Sequence, residues 1–392
     1  MSSFQANIWK MYVFKFLLNM HFIGGVLVPF FLDWGQISFT QLMILESFFV
    51  FSIFLLEVPT GAVADYFGRK ISLVFAAIMI SIAAFVYSSY PNFYVFLLGE
   101  FLWAAGLAFL SGADEALVYD SLKEIKSEKK SKKIFGRFTS FGMTALMVSA
   151  PIGSIIASTF GLRYTMRFMV IPFFLAFLLA MTFKEPITKK KIESKKYMDT
   201  LLNGIKYFKN HKELKILAFD KISIGALIFF LIWTYQPLLK QLGVPLIYFG
   251  LIHAAIAGIQ IPFMNNFEKL EKVFGSKKSY LLWSALISGV CFILLGINMY
   301  IPLTIILIII IAAFGLSRNV LFQNYINKYI ESDNRATVIS TVSMVDRFVR
   351  ALVYPLMGLL VEWSLNYAII IIGVGVLIFA LLSRVEENHL ID

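Results

Sequence analysis

Long apolar runs separated by short polar breaks make up most of the chain. They lie near 8–32, 38–62, 71–89, 93–119, 136–160, 164–183, 214–239, 245–267, 279–299, 301–326, 336–361 and 365–383. A helix needs about 20 apolar residues to cross the hydrocarbon core of a bilayer. The runs match that length, so the pattern predicts an all-α membrane protein with twelve transmembrane helices. Lys15 and His21 interrupt the first run, and the eighth spans Leu246 to Phe267. The first run is longer than the apolar core of a secretion signal and has no small-residue cleavage site, so it reads as a retained helix.

The longest polar stretch runs from Lys184 to Lys215 and divides six spans from six. This predicts an N-terminal six-helix bundle over 1–184, a cytoplasmic central loop over 185–213 and a C-terminal six-helix bundle over 214–392. Tyr197 to Phe208 fits either an amphipathic interfacial helix, with Leu201, Leu202, Ile205 and Phe208 on one side, or a solvated basic linker. The halves echo each other. Gly68-Arg69-Lys70 returns as Gly275-Ser276-Lys277-Lys278, 207 residues later, and Pro151-Ile152-Gly153 as Pro355-Leu356-Met357-Gly358, 204 later. The shared offset argues for duplication of a six-helix unit and for two pseudo-symmetric bundles.

Composition excludes the soluble classes. The chain is 59% hydrophobic and 15% charged, against about 45–50% and 25% in soluble domains. One Cys and four His exclude a disulfide framework and a zinc finger. The net charge of +11 raises nucleic acid as a partner, but the cations flank apolar spans and read as topology determinants beside anionic lipid. With a cytoplasmic N-terminus, 27 of the 35 basic residues fall on the inside. Only Arg163, Arg167 and Lys240 lie outside, and five sit within spans. That asymmetry places both termini in the cytoplasm.

The loop between the second and third spans carries a recognisable pattern, Gly61-Ala62-Val63-Ala64-Asp65-Tyr66-Phe67-Gly68-Arg69-Lys70-Ile71-Ser72-Leu73. Gly61, Ala64, Asp65, Gly68, Arg69, Lys70 and Leu73 match the loop signature of the major facilitator superfamily; Val63 and Tyr66 depart from it. With twelve spans, the six-plus-six division and the basic central loop, the chain resembles that superfamily over its whole length. Physically, Gly61 suits a close helix approach, Gly68 a turn with positive φ, and Asp65 a helix N-terminus. The resemblance implies that Asp65 latches a cytoplasmic gate toward the eleventh helix, with Arg69 as its charge partner. The second copy is degraded, Lys272 standing in for Asp65 and Ser276 for Arg69. Two further family patterns are incomplete. Glu100 occupies the Arg slot of the fourth-span pattern, and only Gly142, Pro151 and Gly153 remain of the antiporter signature in the fifth.

Ionisable groups inside spans mark candidate sites, because a charge at the bilayer centre costs about 2.5–3.5 kcal/mol and turns toward protein or water. Span two carries Glu46 and Glu57, and span four carries Glu100 and Asp114 along one stripe. In span eleven Asp346 and Arg350 stand at i,i+4, where they can pair. Asp346 lies about 16 Å along the helix from Arg335. His21, Tyr235, Gln236, Arg318 and Asn319 add polar groups on spans one, seven and ten, the spans that, with span four, line the cavity in the resembled superfamily. Lys15 and Lys221 lie near the inner surface and can snorkel. The acids favour a cation or proton and the arginines an anion, so the sign of the cargo stays open at this point. The 40 Phe read as packing and lipid-facing surface.

The chain has no phosphate-binding loop, no His-Glu-x-x-His, no Gly-x-Ser-x-Gly and no kinase set, so neither an ATPase engine nor an enzyme is expected. The expectation is a monomeric secondary active transporter of the cell membrane. It uses no cofactor or metal, and its partners are a small-molecule substrate, protons and membrane lipid. The resemblance to compact efflux permeases implies rocker-switch export in exchange for protons. A proton-coupled importer of a sugar, amino acid or organic anion is the alternative, and a receptor, membrane enzyme or lipid flippase a remote one.

Overall fold

The computed structural model describes residues 3–186, 206–208, 210–329 and 335–390, and among them every regular element is helical. The segment Tyr197–Phe208 read as a possible interfacial helix lies outside the described residues apart from its last three. Ten helical segments among the described residues are long and apolar enough to cross a membrane. The first span comes in two shorter pieces, Ser3–Leu18 and Gly24–Trp34. The eleventh is the helix Arg335–Trp363. The remaining spans are Phe39–Phe67, Arg69–Tyr87, Phe93–Leu110 continued by Ala113–Glu124, Ser131–Phe160, Leu162–Met181, Lys212–Phe229 continued by Leu231–Gln241, Phe249–Asn265, Lys277–Ile297, Ile301–Ile310 continued to Lys328, and Leu365–Leu382. The chain is a twelve-span, all-helical membrane protein.

Local chemistry sets the breaks. Span four begins at Asn92, whose side chain accepts the Tyr94 amide at 2.9 Å, and span nine at Ser276, which accepts that of Ser279 at 3.1 Å. Span four is interrupted at Ser111-Gly112, with Gly112 left-handed at φ 74°. Such a break frees carbonyls that lipid cannot satisfy. The Ser72 hydroxyl of span three takes one of them, donating to the Phe109 carbonyl at 2.6 Å. Span one breaks after Leu18, where Asn19 donates back to the Lys15 carbonyl at 2.8 Å. Wider π turns occupy Phe30–Trp34 and Ile311–Leu316, a geometry often found beside functional side chains.

The chain divides into two compact units, one of residues 1–37, 44–197 and 246–251, the other of 38–43, 198–245 and 252–392. In the first, span three packs on spans four and six; in the second, span nine packs on spans ten and twelve. Phenylalanine serves two surfaces. Phe14, Phe30, Phe31, Phe96 and Phe173 are buried, whereas Phe51, Phe75, Phe85 and Phe348 are exposed.

Spans nine and twelve meet backbone to backbone. A Cβ on Gly289 would stand 3.0 Å from the Gly373 carbonyl oxygen, and one on Gly373 2.7 Å from that of Gly289. Small residues give such close approach in membranes. Gly61 does not act this way, contrary to the sequence expectation, because a Cβ there meets no described atom within 4 Å. Gly289→Leu should therefore lower stability by about 1–3 kcal/mol through overpacking, while Gly61→Ala changes it by less than about 0.5 kcal/mol. Thermal unfolding of the purified variants in detergent checks the contrast, and equal midpoints would refute it.

Candidate functional site

Each unit is pinned at one end by a polar side chain of its first span. In the first unit Asn7 donates to Ser121 Oγ at 3.0 Å and to the Lys184 carbonyl at 2.8 Å, and accepts the Lys184 amide at 3.0 Å. It joins span one to span four and to the chain leaving span six. In the second unit Asp220 of span seven accepts from Arg318 Nη2 at 2.8 Å and from Ser383 Oγ at 2.5 Å. It joins span seven to span ten and to the chain leaving span twelve. Arg318 also donates to Ser284 Oγ at 2.6 Å and to the Leu281 carbonyl.

A second contact repeats as well. Glu185, just after span six, accepts the Arg69 and Lys70 amides at 2.8 and 2.7 Å. Glu387, just after span twelve, accepts those of Lys277 and Lys278 at 3.1 and 2.8 Å. Each carboxylate thus caps the N-terminus of span three or nine, where the amides lack helical partners and the dipole favours an anion.

The loop residues follow from this. Gly68 turns the chain at φ 101°, and Lys70 supplies one of the capped amides. The Arg69 guanidinium pairs with Asp120 of span four and reaches the Ala116 carbonyl at 3.3 Å. Arg69 was expected beside Asp65; the structure also gives it a partner outside the loop, Asp120 of span four. The exposed Asp65 ends span two, and the helix N-terminus next to it is taken by Glu185.

Deeper in the first unit, Lys15 meets Asp114 at 3.0 Å and lies over the Phe138 ring at 4.7 Å. This ion pair replaces the snorkelling expected for Lys15. Asp114 also accepts the Glu115 amide at 2.8 Å, at the restart of span four. Glu100 does not share that cluster: at 1.5 Å per residue it lies about 21 Å along span four from Asp114. Glu100 is 4% exposed, takes a hydrogen bond from the Tyr87 hydroxyl and lies within electrostatic reach of Glu46. Neither Glu46 nor Glu100 meets a cation at ion-pair distance among the described residues. His21, at the break of span one, packs edge-on to Trp103 and Phe173 at 5.6 and 5.9 Å, and its Nε2 donates to the Leu18 carbonyl at 3.0 Å.

In the second unit the Tyr235 hydroxyl lies 2.9 Å from His253 Nδ1 and accepts from Gln236 Nε2 at 2.9 Å, both Tyr235 and Gln236 being fully buried. Asp346 and Arg350 form the pair their spacing predicted, with Arg350 over the Phe229 ring at 5.1 Å. Lys221 faces that pair electrostatically. Asn319 lies against Gly225, one turn along from Lys221. Arg318 is the clearest correction to the candidate set. It is 3% exposed and its guanidinium is committed to Asp220, Ser284 and Leu281, so it is not presented to a cargo anion. Asp220, Glu185, Glu387 and Tyr87 were missed from sequence. Asp220 was visible as the lone acid of an apolar run, whereas the two glutamates looked like ordinary linker and tail charges.

Two units of six spans, tied by equivalent contacts and carrying ionisable groups among their helices, define a duplicated helical membrane protein. The Major Facilitator Superfamily model matches residues 12–270, and the chain belongs to that superfamily. Solved structures share its fold over nearly their whole length. A point mutant of the nucleoside transporter NupG aligns at TM-score 0.80 and 14% identity, covering 96% of this chain and 98% of that one. The POT family transporter PepTSo aligns at 0.74 and 12%, covering 96% of each. A D-xylose-proton symporter aligns at 0.70 and 17%, covering 97% of each. No curated protein matches the chain.

Asp220→Asn and Arg318→Gln should each destabilise by about 3–5 kcal/mol, since each leaves a buried charge unpaired. The double variant should lose less than the sum. Unfolding midpoints of the three proteins test this, and wild-type-like single variants would overturn the structural role of the Asp220–Arg318 pair. Glu185→Ala and Glu387→Ala, which remove only a cap, should each cost about 1 kcal/mol in the same assay.

Proposed function

We propose that the protein is a proton-coupled secondary transporter that moves a small molecule by rocker-switch alternating access of its halves 1–184 and 214–392. One observation carries the coupling: Glu46 and Glu100 share a site with Tyr87 and have no cation beside them among the described residues. A buried carboxyl with no cation beside it is a group that can take up and release a proton as its surroundings change. Lys15–Asp114 in one half, and Asp346–Arg350 with Asn319 in the other, are the substrate-facing candidates in this reading. Gly61, Asp65, Gly68, Arg69 and Lys70 form the cytoplasmic gate.

The direction we assign is uptake with protons rather than export against them. The incomplete antiporter signature of span five supports symport, as does the fold shared with a D-xylose-proton symporter. The excess of basic residues in the loops supports a cell-membrane protein with both termini in the cytoplasm.

The test uses sealed vesicles containing the protein, an internal pH reporter and pools of sugars, amino acids, nucleosides and organic acids. One pool should acidify the lumen as its labelled member enters. Glu100→Gln should abolish proton movement while counterflow of labelled for unlabelled substrate persists. Substrate entry without proton movement in the wild type would overturn the coupling, and alkalinisation on entry would overturn symport.

A further inference from the structure

The repeated polar sets of the two units differ by one charge, and that difference bears on the cargo. Lys15 and Lys221 are 206 residues apart, Asp114 and Asn319 are 205, Gly142 and Asp346 are 204, and Pro151 and Pro355 are 204. These are the offsets of the duplication, and the contacts agree with them. In the first unit Lys15 of span one meets Asp114 of span four, and a Cβ on Gly142 of span five would stand 3.4 Å from Lys15 Cγ. In the second unit the same places hold Lys221, Asn319 and Asp346.

The first set is neutral, because Lys15 has its own carboxylate. The second is not. Asn319 replaces the aspartate with an uncharged amide, and Asp346 is already paired with Arg350. Lys221 makes no hydrogen bond or ion pair among the described residues, although it lies within electrostatic reach of Asp346 and Arg350. Lys221, Arg350 and Asp346 together leave one positive charge uncompensated. Lys221 stands about 14 Å along its helix from Lys212, close to the depth of Asp346, and is half-buried, so it is not a surface lysine. A cation held there gains most from an anion that arrives from solution.

We infer that Lys221, with Arg350 beside it, binds an oxyanion of the transported molecule, so that the cargo is a small organic acid bearing a carboxylate or phosphate ester. Asp346 fixes the guanidinium fork and Phe229 supports its plane, while Asn319 offers an amide donor one turn away. Arg318 cannot substitute, since its donors are taken. The inference rests on the transport reading and assigns the class of its substrate.

The probes are three matched pairs that differ in an acidic group: glucuronate and glucose, glutamate and glutamine, uridine monophosphate and uridine. Binding to the folded protein raises its unfolding temperature. In neutral detergent at constant ionic strength, at least one acid should stabilise the wild type while its neutral partner does not. Lys221→Gln should weaken that acid about tenfold or more. Lys221→Arg should restore much of the affinity, which separates loss of charge from loss of fold. No acid surpassing its partner, or an increment that survives Lys221→Gln, overturns the anion site. Stabilisation by phosphatidylglycerol nanodiscs alone, absent in phosphatidylcholine, would assign the charge to a lipid headgroup and overturn the substrate class. Vesicle flux separates the two readings. An acid that binds through Lys221 but never crosses would sink the transport reading and leave the site. A neutral compound that crosses equally well in Lys221→Gln would do the reverse.

Discussion

Hydrocarbon cannot solvate an ion, and this constraint decides where each interior charge of the protein sits. Lys15 lies against Asp114, Arg318 against Asp220 and Arg350 against Asp346. Each pair joins two helices or two turns of one, so the need to neutralise a charge also fixes a packing arrangement. At Glu46 and Glu100 the described residues supply no cation at ion-pair distance, and at Lys221 they supply no counter-ion, so these groups stand apart from the paired ones.

Duplication gives the two units one plan with different chemistry. A polar residue of the first span ties to the fourth and to the chain leaving the sixth, through Asn7 in one unit and Asp220 in the other. Asn7 makes neutral hydrogen bonds, whereas Asp220 needs the guanidinium of Arg318. The carboxylate caps are nearly identical in both. The parts that hold each unit together have been kept, and the residues at membrane depth have diverged, as expected if the two halves handle different charges.

Much of this was legible in the sequence. Apolar run lengths gave the twelve spans because a bilayer imposes a fixed length on any helix that crosses it. The Gly68-Arg69-Lys70 loop carried the family, since a turn and its flanking charges are local in sequence. The i,i+4 spacing of Asp346 and Arg350 foretold their pair for the same reason. Partners distant in sequence were not legible. Arg69 reaches Asp120 of span four, and Arg318 turns to Asp220 rather than to a cavity, because helix packing, which no spacing encodes, brings those carboxylates close. The stripe drawn through Glu100 and Asp114 assumed a continuous helix, and the left-handed Gly112 cancels that assumption.

The interruption of span four has a mechanical consequence. A continuous helix transmits tilt and rotation along its whole length. A rod jointed at Ser111-Gly112 behaves as two levers, restrained at the joint by the bond from Ser72 to the Phe109 carbonyl. One lever carries Glu100 and the other Asp114. The Glu100 carboxyl and the lysine–aspartate pair of the first unit thus sit on separate helical segments, and the direction of one segment does not fix that of the other.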